Sequence, residues 1–338
     1  MKRTALLAFA AALSAIVFAQ PPPGYYDAAS GLTGPPLKAA LFGIISPHTV
    51  HSYAQLWNDF ESTDDRDDNG KVWDIYSDIP DSVAPYQYTF GTDQCGSYNS
   101  EGDCYNREHT VPQSWFNGDA PMVSDLFHIY PTDGWVNNKR GDLPHGEVSS
   151  ADWTGQNGTK TGNSATAGYS GTVCEPIDAY KGDLARTYFY MMTRYMNVAG
   201  TWTSDMFAAG DLTPWAKNML LQWDTDDPVS QKEIDRNNAV YAIQDNRNPY
   251  IDHPEWAHSI WVSTVGIPPA KHPIERLWVH DGMLYRSGPT DISDVRIIDM
   301  SGREVYRTRF QGKALALPDL PHALFIARSG NSTIRFAR

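Results

Sequence analysis

The spacing of hydrophobic residues changes three times along this chain of 338 residues. Segments 37–45 and 53–60 have helical character, but residues 61–160 lose any period because Gly, Asp, Asn and Pro interrupt short aromatic runs. Helical spacing returns at residue 181, where Leu184, Tyr188, Met191 and Met192 form an apolar stripe. Pro214 and a capping box of Ser230 and Glu233 mark the starts of two later helices. After Arg276 hydrophobic residues alternate in six short runs typical of strands. The pattern predicts an α+β domain with an irregular middle, followed by a small, all-β, sandwich-like domain.

Three segments are expected along the chain. Residues 1–19 begin with two basic residues, continue with an apolar run and end in small residues, which is the pattern of a signal peptide. A Pro-Pro pair at 268–269 marks the boundary between a main domain, 20–266, and a C-terminal domain, 267–338. No later segment has the roughly 18 apolar residues that a membrane helix requires, so no membrane span is expected.

Charge is distributed unevenly between the two domains. The whole chain has a formal charge of −13, but residues 20–266 carry 14 basic and 33 acidic side chains, while residues 267–338 carry 11 and 7. A main domain with a net charge of −19 repels nucleic acid at long range. If the substrate is a polyanion, the attraction must therefore come from a local basic patch or from a bound cation.

The three cysteines of the chain are Cys95, Cys104 and Cys174. The eight residues between Cys95 and Cys104 are rich in turn formers, and export permits oxidation, so these two are expected to form a disulfide. Cys174 is expected to be a buried, apolar side chain rather than a reactive thiol.

A glutamate and a histidine stand side by side in the segment Arg107-Glu108-His109. Adjacent side chains of an extended strand point to opposite faces, so Glu108 can hold a hard cation while His109 faces a water. The alternative interpretation is a surface ion pair between Glu108 and Arg107 beside an ordinary loop histidine.

A second polar segment follows about 28 residues later. A short helix after Pro131, capped by Thr132 or Asp133, would present Asn137, whose carbonyl oxygen suits Mg²⁺ or Ca²⁺. Two protein ligands are few, but Mg²⁺ keeps several waters and completes its shell with phosphate oxygens. The two segments together favour a metal site over the ion-pair interpretation.

Three segments, 104–140, 181–191 and 244–250, resemble the motifs of the bacterial endonuclease I family and occur in the same order. This family comprises secreted or periplasmic, sugar-nonspecific nucleases with a ββα-metal, or His-Me, finger. The resemblance covers residues 36–261 and implies that such a finger forms the core of a mostly helical domain.

The resemblance also implies roles for the site residues. His109 would be the general base that activates water, and Glu108 and Asn137 would hold a single catalytic ion, Mg²⁺ or, in its place, Ca²⁺ or Mn²⁺. Asn138 is the alternative to Asn137, because a slip of one residue would exchange them. The ion would stabilise the phosphate and the leaving 3′ oxygen, so that one product carries a 5′-phosphate.

The implied substrate is DNA, with RNA as a further candidate. Contacts to phosphate and sugar carry no base information, so little sequence preference is expected. The candidate contacts are basic residues in or near the three motifs: Arg107, Lys139, Arg140, Lys181, Arg186 and Arg247. Arg186 could equally be an ordinary charge on a helix face.

Asp65, Asp67 and Asn69 match the first half of a calcium loop. The second half fails, because the twelfth position is Tyr76 and not glutamate. A structural Ca²⁺ site and a solvated acidic loop are therefore both open, and so is a calcium-stabilised binding protein without catalysis. A phosphodiesterase for small substrates is a further alternative, since it would share the same site.

The C-terminal domain resembles the β-rich sorting tails of secreted proteins in some Gram-negative bacteria, on segments 295–305 and 320–328. This implies the export machinery as a partner and a secreted, periplasmic or outer-surface location. A β-module that binds carbohydrate or captures substrate is the alternative. The protein is expected to be a monomer.

Overall fold

The structure is a computed structural model. It describes residues 21–66, 69–80, 82–262, 277–280, 283–286, 293–299, 303–321, 323–329 and 332–337. The chain divides into two compact units, Met1–Val262 and Ser263–Arg338. The predicted signal peptide and the predicted boundary at 268–269 lie outside the described residues, and both stay predictions. Among the described helices, none has the length and apolar character needed to span a membrane.

The first unit mixes helices with short strands, which agrees with the predicted α+β class. Its α-helices are α1 (Gly34–Ile45), α2 (Leu56–Thr63), α3 (Gly134–Arg140), α4 (Lys181–Arg194), α5 (Pro214–Asp226), α6 (Gln231–Gln244), α7 (Pro249–Asp252) and α8 (Glu255–Trp261). Its strands are β1 (Asp65–Arg66), β2 (Lys71–Val72), β3 (Tyr105–His109), β4 (Ile129–Asp133), β5 (Val148–Thr154), β6 (Lys160–Ser164), β7 (Thr172–Glu175), β8 (Phe207–Ala208) and β9 (Asp211–Leu212).

Helix α4 is the centre of the first unit. All of its residues are buried, and it packs against α1, α5 and α7. The predicted stripe of Leu184, Tyr188, Met191 and Met192 lies in the main hydrophobic cluster or the one beside it. Full burial of one such side chain contributes about 1.5–3 kcal/mol. The helix therefore fixes the scaffold on which the surrounding loops are held.

Helix starts follow the capping signals of the sequence. Ser230 and Glu233 form a capping box at α6, and the Asp133 carboxylate accepts a hydrogen bond of 2.7 Å from the Val136 N–H at α3. Helix α2 begins three residues later than the predicted start at residue 53. The reason is local, because the Ser52 hydroxyl accepts a hydrogen bond from the Gln55 N–H and residues before α2 form a turn.

Strands β3 and β4 form an antiparallel pair, and α3 follows β4 without a loop. The register places Glu108 opposite Tyr130 and His109 opposite Ile129. Gly134 is required at the junction, because a Cβ there would lie 2.5 Å from the Tyr98 ring. The chain thus passes from a two-stranded ribbon directly into a helix beside it.

The predicted disulfide between Cys95 and Cys104 is present, with a Cα–Cα distance of 5.9 Å. The carbonyl of Cys104 accepts a hydrogen bond of 2.9 Å from the Gly134 N–H, so the bridge lies next to the start of α3. Cys174 is free and buried, as expected, and burial raises the pKa of its thiol to about 12.

The described part of the second unit consists of strands. They are β10 (Leu277–His280), β11 (Met283–Arg286), β12 (Ser293–Asp299), β13 (Glu304–Phe310), β14 (Ala314–Ala316), β15 (Leu324–Ser329) and β16 (Ser332–Ala337). They form one sheet in the order β10-β11-β14 and another in the order β13-β12-β15-β16. All six predicted strand segments are strands, and the pattern missed β16. A cluster that includes Leu284, Val295, Ile297 and Phe325 forms the core of this unit.

Asp125 connects the loop before β4 to the helical scaffold. Its carboxylate accepts hydrogen bonds from the Tyr190 and Tyr195 hydroxyls, at 2.8 and 2.7 Å. It also accepts from the Phe127 N–H at 3.0 Å and from the Gln244 amide at 3.1 Å. One buried carboxylate therefore ties α4 and α6 to the loop that leads into β4.

Burial by itself would raise the pKa of Asp125, but His48, His128 and the hydrogen bonds lower it below its usual value. Because the folded state has the lower pKa, the ionised carboxylate stabilises the fold above the pKa of the unfolded chain. That stabilisation is lost as the pH falls through the folded pKa.

We predict that Asp125→Asn lowers the free energy of unfolding by about 1.5–3 kcal/mol at pH 7, because an amide replaces a charged acceptor. The difference from wild type should shrink from about pH 4 downward, where wild type also loses its charge. Urea denaturation across this pH range measures both effects. Asp205→Asn is the control, since exposed Asp205 accepts one hydrogen bond from Tyr169. Equal losses in the two variants would contradict the prediction.

Candidate active site

The Glu108 carboxylate lies inside the first unit and uses one oxygen for internal contacts. Oε1 accepts hydrogen bonds from the Tyr76 hydroxyl at 2.9 Å and from Arg140 Nη1 at 2.8 Å. Oε2 makes no hydrogen bond within the described residues. Burial raises the pKa of Glu108, although Arg140 and Tyr76 oppose this shift. The carboxylate is therefore fixed through Oε1, and Oε2 is left to bind a ligand.

Arg140, the last residue of α3, joins that helix to the end of β3. Its Nη1 also donates to the His109 carbonyl at 2.7 Å, and Nη2 donates to the Thr110 carbonyl at 2.6 Å. Nε donates to the Leu143 carbonyl at 3.0 Å. One guanidinium thus holds the last two residues of β3 and the residue that follows them against the helix.

His109 is buried, and both ring nitrogens have neighbours. Nε2 lies 3.2 Å from the Val123 carbonyl, and Nδ1 lies 3.3 Å from the Gln113 amide nitrogen. A carbonyl oxygen can only accept, so Nε2 carries the proton and Nδ1 carries the lone pair. Burial lowers the pKa of His109 well below its usual value, and His128, Arg107 and Arg140 lower it further. The imidazole is neutral at neutral pH.

Asn137 lies on the side of α3 that meets β3. Its Nδ2 donates to the Arg107 carbonyl at 3.2 Å, so Oδ1 is the amide atom left without a hydrogen bond in the described chain. Asn137 is half-buried, whereas Asn138 is exposed. The contact to β3 favours Asn137 over Asn138 as the partner of Glu108.

The available donors are therefore two oxygens, one from a carboxylate and one from an amide. Hard oxygen atoms are the ligands of Mg²⁺, Ca²⁺ and Mn²⁺, so the donor chemistry fits such an ion. No group of three or more His, Cys, Asp or Glu side chains in the described residues could hold a metal. A cation at Glu108 and Asn137 would take its other ligands from water and substrate.

Three of the predicted nucleic-acid contacts need correction. Arg140, Arg186 and Arg247 are at most 1% exposed, and their guanidinium groups bind inside the protein. Arg186 contacts Glu233 and Arg247 contacts Asp252, each through two nitrogens. A phosphate cannot reach these groups in this fold, because they compensate buried carboxylates and carbonyls.

The other predicted basic contacts differ in their surroundings. Lys139 is exposed, with Nζ 4.8 Å from the Trp135 ring centre, and Arg107 is half-buried. Lys181 is engaged by acidic neighbours, Glu147 and Glu175 among them. Of the predicted nucleic-acid contacts, Lys139 and Arg107 are thus the two on β3 and α3 whose side chains retain solvent-exposed surface.

The predicted calcium loop is described only in part. Asp67 lies outside the described residues. Asp65 Oδ1 accepts a hydrogen bond from the Gly70 N–H, and Asn69 Oδ1 accepts one from the Lys71 N–H, both at 2.9 Å. These two oxygens close a turn, and the calcium site stays a prediction.

Two residues around the site were missed by sequence reasoning. Gln113 lies four positions after His109 in the same motif, so its proximity gave a weak signal. Tyr76 lies in the irregular region, and no motif marks it as a partner of Glu108. Its position is set by tertiary packing of the cluster that contains Trp73 and Tyr130.

We predict that Arg140→Ala lowers the free energy of unfolding by about 3–5 kcal/mol, because it leaves the buried Glu108 carboxylate without its partner. Lys139→Ala is the matched control on the same helix, and as an exposed position it should change stability by less than about 0.5 kcal/mol. Chemical denaturation followed by tryptophan fluorescence compares the two. A small loss for Arg140→Ala would show that the guanidinium does not hold the site together.

Comparison with known proteins identifies the family. Residues 33–255 match the family model for endonuclease I. The chain is 36% identical to the extracellular ribonuclease of Bacillus amyloliquefaciens over 244 residues, 70% of this chain and 78% of that protein. It is 34% identical to the extracellular ribonuclease of Bacillus subtilis (strain 168), with the same coverage. Endonuclease-1 of Buchnera aphidicola subsp. Baizongia pistaciae is 28% identical over 130 residues, 38% of this chain and 46% of that protein. The family predicted from the three motifs is confirmed: this chain belongs to the endonuclease I family.

Proposed function

We propose that this nuclease of the endonuclease I family depends on a divalent metal and that Glu108, His109 and Asn137 form its active site. One observation supports the proposal: Arg140 and the Asn137 amide fasten α3 to the part of β3 that carries Glu108 and His109. The antiparallel pairing of β3 with β4, and the start of α3 directly after β4, support a ββα-metal finger.

Glu108 Oε2 and Asn137 Oδ1 are the atoms that would hold the ion, since neither has a hydrogen bond in the part of the chain that the structure describes. A bound Mg²⁺, or Mn²⁺ or Ca²⁺ in its place, supplies charge stabilisation to the phosphate and to the leaving 3′ oxygen. The protein contributes two oxygens fixed in place, one on a strand and one on a helix.

His109 accepts the proton of the attacking water at Nδ1. Three features support this role: the Val123 carbonyl fixes the tautomer, burial keeps the ring neutral, and Nδ1 bears the lone pair. The Gln113 amide contacts Nδ1, but Gln113 is exposed, so its side chain can leave when water binds. Hydrolysis leaves a 3′-hydroxyl on one product and a 5′-phosphate on the other.

The substrates are RNA and DNA, cleaved with little sequence preference. Two Bacillus relatives are named extracellular ribonucleases, which supports RNA, and DNA is the substrate that the resemblance to the endonuclease I family implies. Lys139 and Arg107 contact phosphates, and phosphate contacts do not distinguish bases. Because residues 20–266 carry a net charge of −19, attraction of the polyanion depends on these cations and on the metal.

The protein acts outside the cytoplasm. The apolar segment at residues 1–19 supports export through a signal peptide, and the names of the Bacillus relatives agree with an extracellular enzyme. The strand-rich unit at the C-terminus serves as a sorting or anchoring tail for the export machinery of a Gram-negative bacterium. The enzyme works as a monomer.

We predict that the purified protein cleaves labelled RNA and nicks plasmid DNA with Mg²⁺, and that EDTA abolishes both activities. His109→Ala should lower the rate per folded molecule by about 10²–10⁴-fold, because a general base is lost. Glu108→Gln and Asn137→Ala should raise the Mg²⁺ concentration needed for half-maximal rate.

Asn138→Ala is the matched control for Asn137→Ala, since Asn138 is its exposed neighbour. Cleavage that survives in EDTA would contradict metal dependence. Activity retained by His109→Ala would place the base elsewhere. Failure to cleave either polymer with any divalent ion would favour a phosphodiesterase for small substrates or a calcium-stabilised binding protein.

A further inference from the structure

Several arginines inside this protein bind carboxylates through one edge of the guanidinium group. On that edge the Nε–H and an Nη2–H are nearly parallel, so the edge matches two oxygens of one carboxylate or phosphate. Three buried arginines follow this pattern: Arg186 binds both oxygens of Glu233, Arg236 those of Asp64, and Arg247 those of Asp252. The edge is thus the protein's usual means of holding a two-oxygen anion.

Arg107 has the same edge, but no carboxylate of the described residues binds it. Nη1 donates to the Tyr53 carbonyl at 2.7 Å, whereas Nε is buried and has no hydrogen-bond partner among the described residues. Nη2 makes no hydrogen bond or ion pair within the same residues. Buried donors in native proteins are nearly always paired, so an acceptor from outside the chain is expected at this edge.

Two aromatic rings hold this guanidinium in place. Its central carbon lies 3.6 Å from the centre of the Tyr53 ring and 4.3 Å from the centre of the Trp57 ring. Stacking on aromatic faces and the bond to the Tyr53 carbonyl fix the plane of the group before any ligand arrives. A pre-oriented edge loses less entropy on binding than a free lysine would.

Arg107, which carries this edge, lies near His109 of the proposed site. Arg107 and His109 are two residues apart on β3, so they lie on the same face of the strand, about 6.6 Å apart along the chain. The Tyr53 ring connects them, since its centre lies 5.7 Å from that of the His109 ring. This separation is on the scale of one nucleotide step and suits a neighbouring phosphate rather than the one attacked.

We propose that the Nε/Nη2 edge of Arg107, clamped by Tyr53 and Trp57, binds the phosphate that flanks the scissile bond. The inference rests on the proposed nuclease function and adds a requirement to it: the substrate must carry a second phosphate one nucleotide from the cleaved one. Arg107 is then a specificity residue, and Tyr53 and Trp57 position it. The enzyme discriminates against isolated phosphodiesters in favour of polymers.

Three dinucleotides with a single cleavable bond test the proposal: TpT, pTpT and TpTp. The flanking phosphate is absent from TpT, at the 5′ end of pTpT and at the 3′ end of TpTp. For wild type with Mg²⁺, kcat/KM for one of the two phosphorylated forms should exceed that for TpT by at least about tenfold, as expected for a charge-assisted, two-point contact. Arg107→Leu should remove this preference, because it should lower kcat/KM for the phosphorylated form more than for TpT.

Arg107→Lys tests whether the two parallel hydrogen bonds or only the positive charge is needed, because lysine keeps the charge but cannot make both bonds. It should lose most of the preference, and Trp57→Leu should lose part of it. Arg307→Leu is the control, since Arg307 lies in the second unit and is half-exposed. Equal rates on the three dinucleotides, or an unchanged preference in Arg107→Leu, would overturn the proposal.

A binding measurement keeps this test independent of catalysis. Competition of the three dinucleotides against a fluorescein-labelled 12-mer, on the His109→Ala protein in EDTA, should give the same order of affinity. The same order without polymer cleavage by wild type would uphold the phosphate site and contradict the nuclease function. Polymer cleavage with equal affinity for all three dinucleotides would uphold the nuclease function and contradict the phosphate site.

Discussion

The buried contact between Arg140 and Glu108 is the interaction on which the rest of the site depends. A carboxylate in the interior is costly unless it is paired and hydrogen-bonded. Arg140 meets both conditions, and its remaining donors bind the carbonyls of His109 and Thr110. The same guanidinium that compensates the charge therefore also fixes the distance between strand and helix, so stability and the geometry of the site have one cause.

This arrangement also explains how an acidic protein can act on a polyanion. Arg186, Arg236 and Arg247 each pair with a buried carboxylate, so they do not offset the net charge of −19 on residues 20–266. Long-range attraction is then weak, and binding depends on short-range contacts. In the proposed site, the exposed Lys139, the Nε/Nη2 edge of Arg107 and a divalent cation would supply them.

Local signals in the sequence predicted much of the fold. Proline and capping residues marked α5 and α6, Asp133 marked the start of α3, and the turn-rich segment between Cys95 and Cys104 marked the disulfide. These features depend on neighbours in the chain, so a single sequence reveals them. The six strands predicted in the second unit could be found for the same reason, because alternation of hydrophobic residues is a local pattern.

Contacts between distant segments could not be predicted in this way. A sequence does not show whether an arginine in a motif faces solvent or a buried carboxylate, and Arg140, Arg186 and Arg247 proved to be of the second kind. The pairing of Glu108 with Tyr76 and the contact of His109 with Val123 likewise arise only when loops 32 and 14 residues apart meet.

The most direct test of the account is a crystal structure of the His109→Ala protein with an oligonucleotide and Mn²⁺, with the ion located by its anomalous signal. The account predicts one ion about 2.1 Å from both Glu108 Oε2 and Asn137 Oδ1, bound to an oxygen of a backbone phosphate. An ion held by other side chains, or a phosphate bound at this place without an ion, would contradict it.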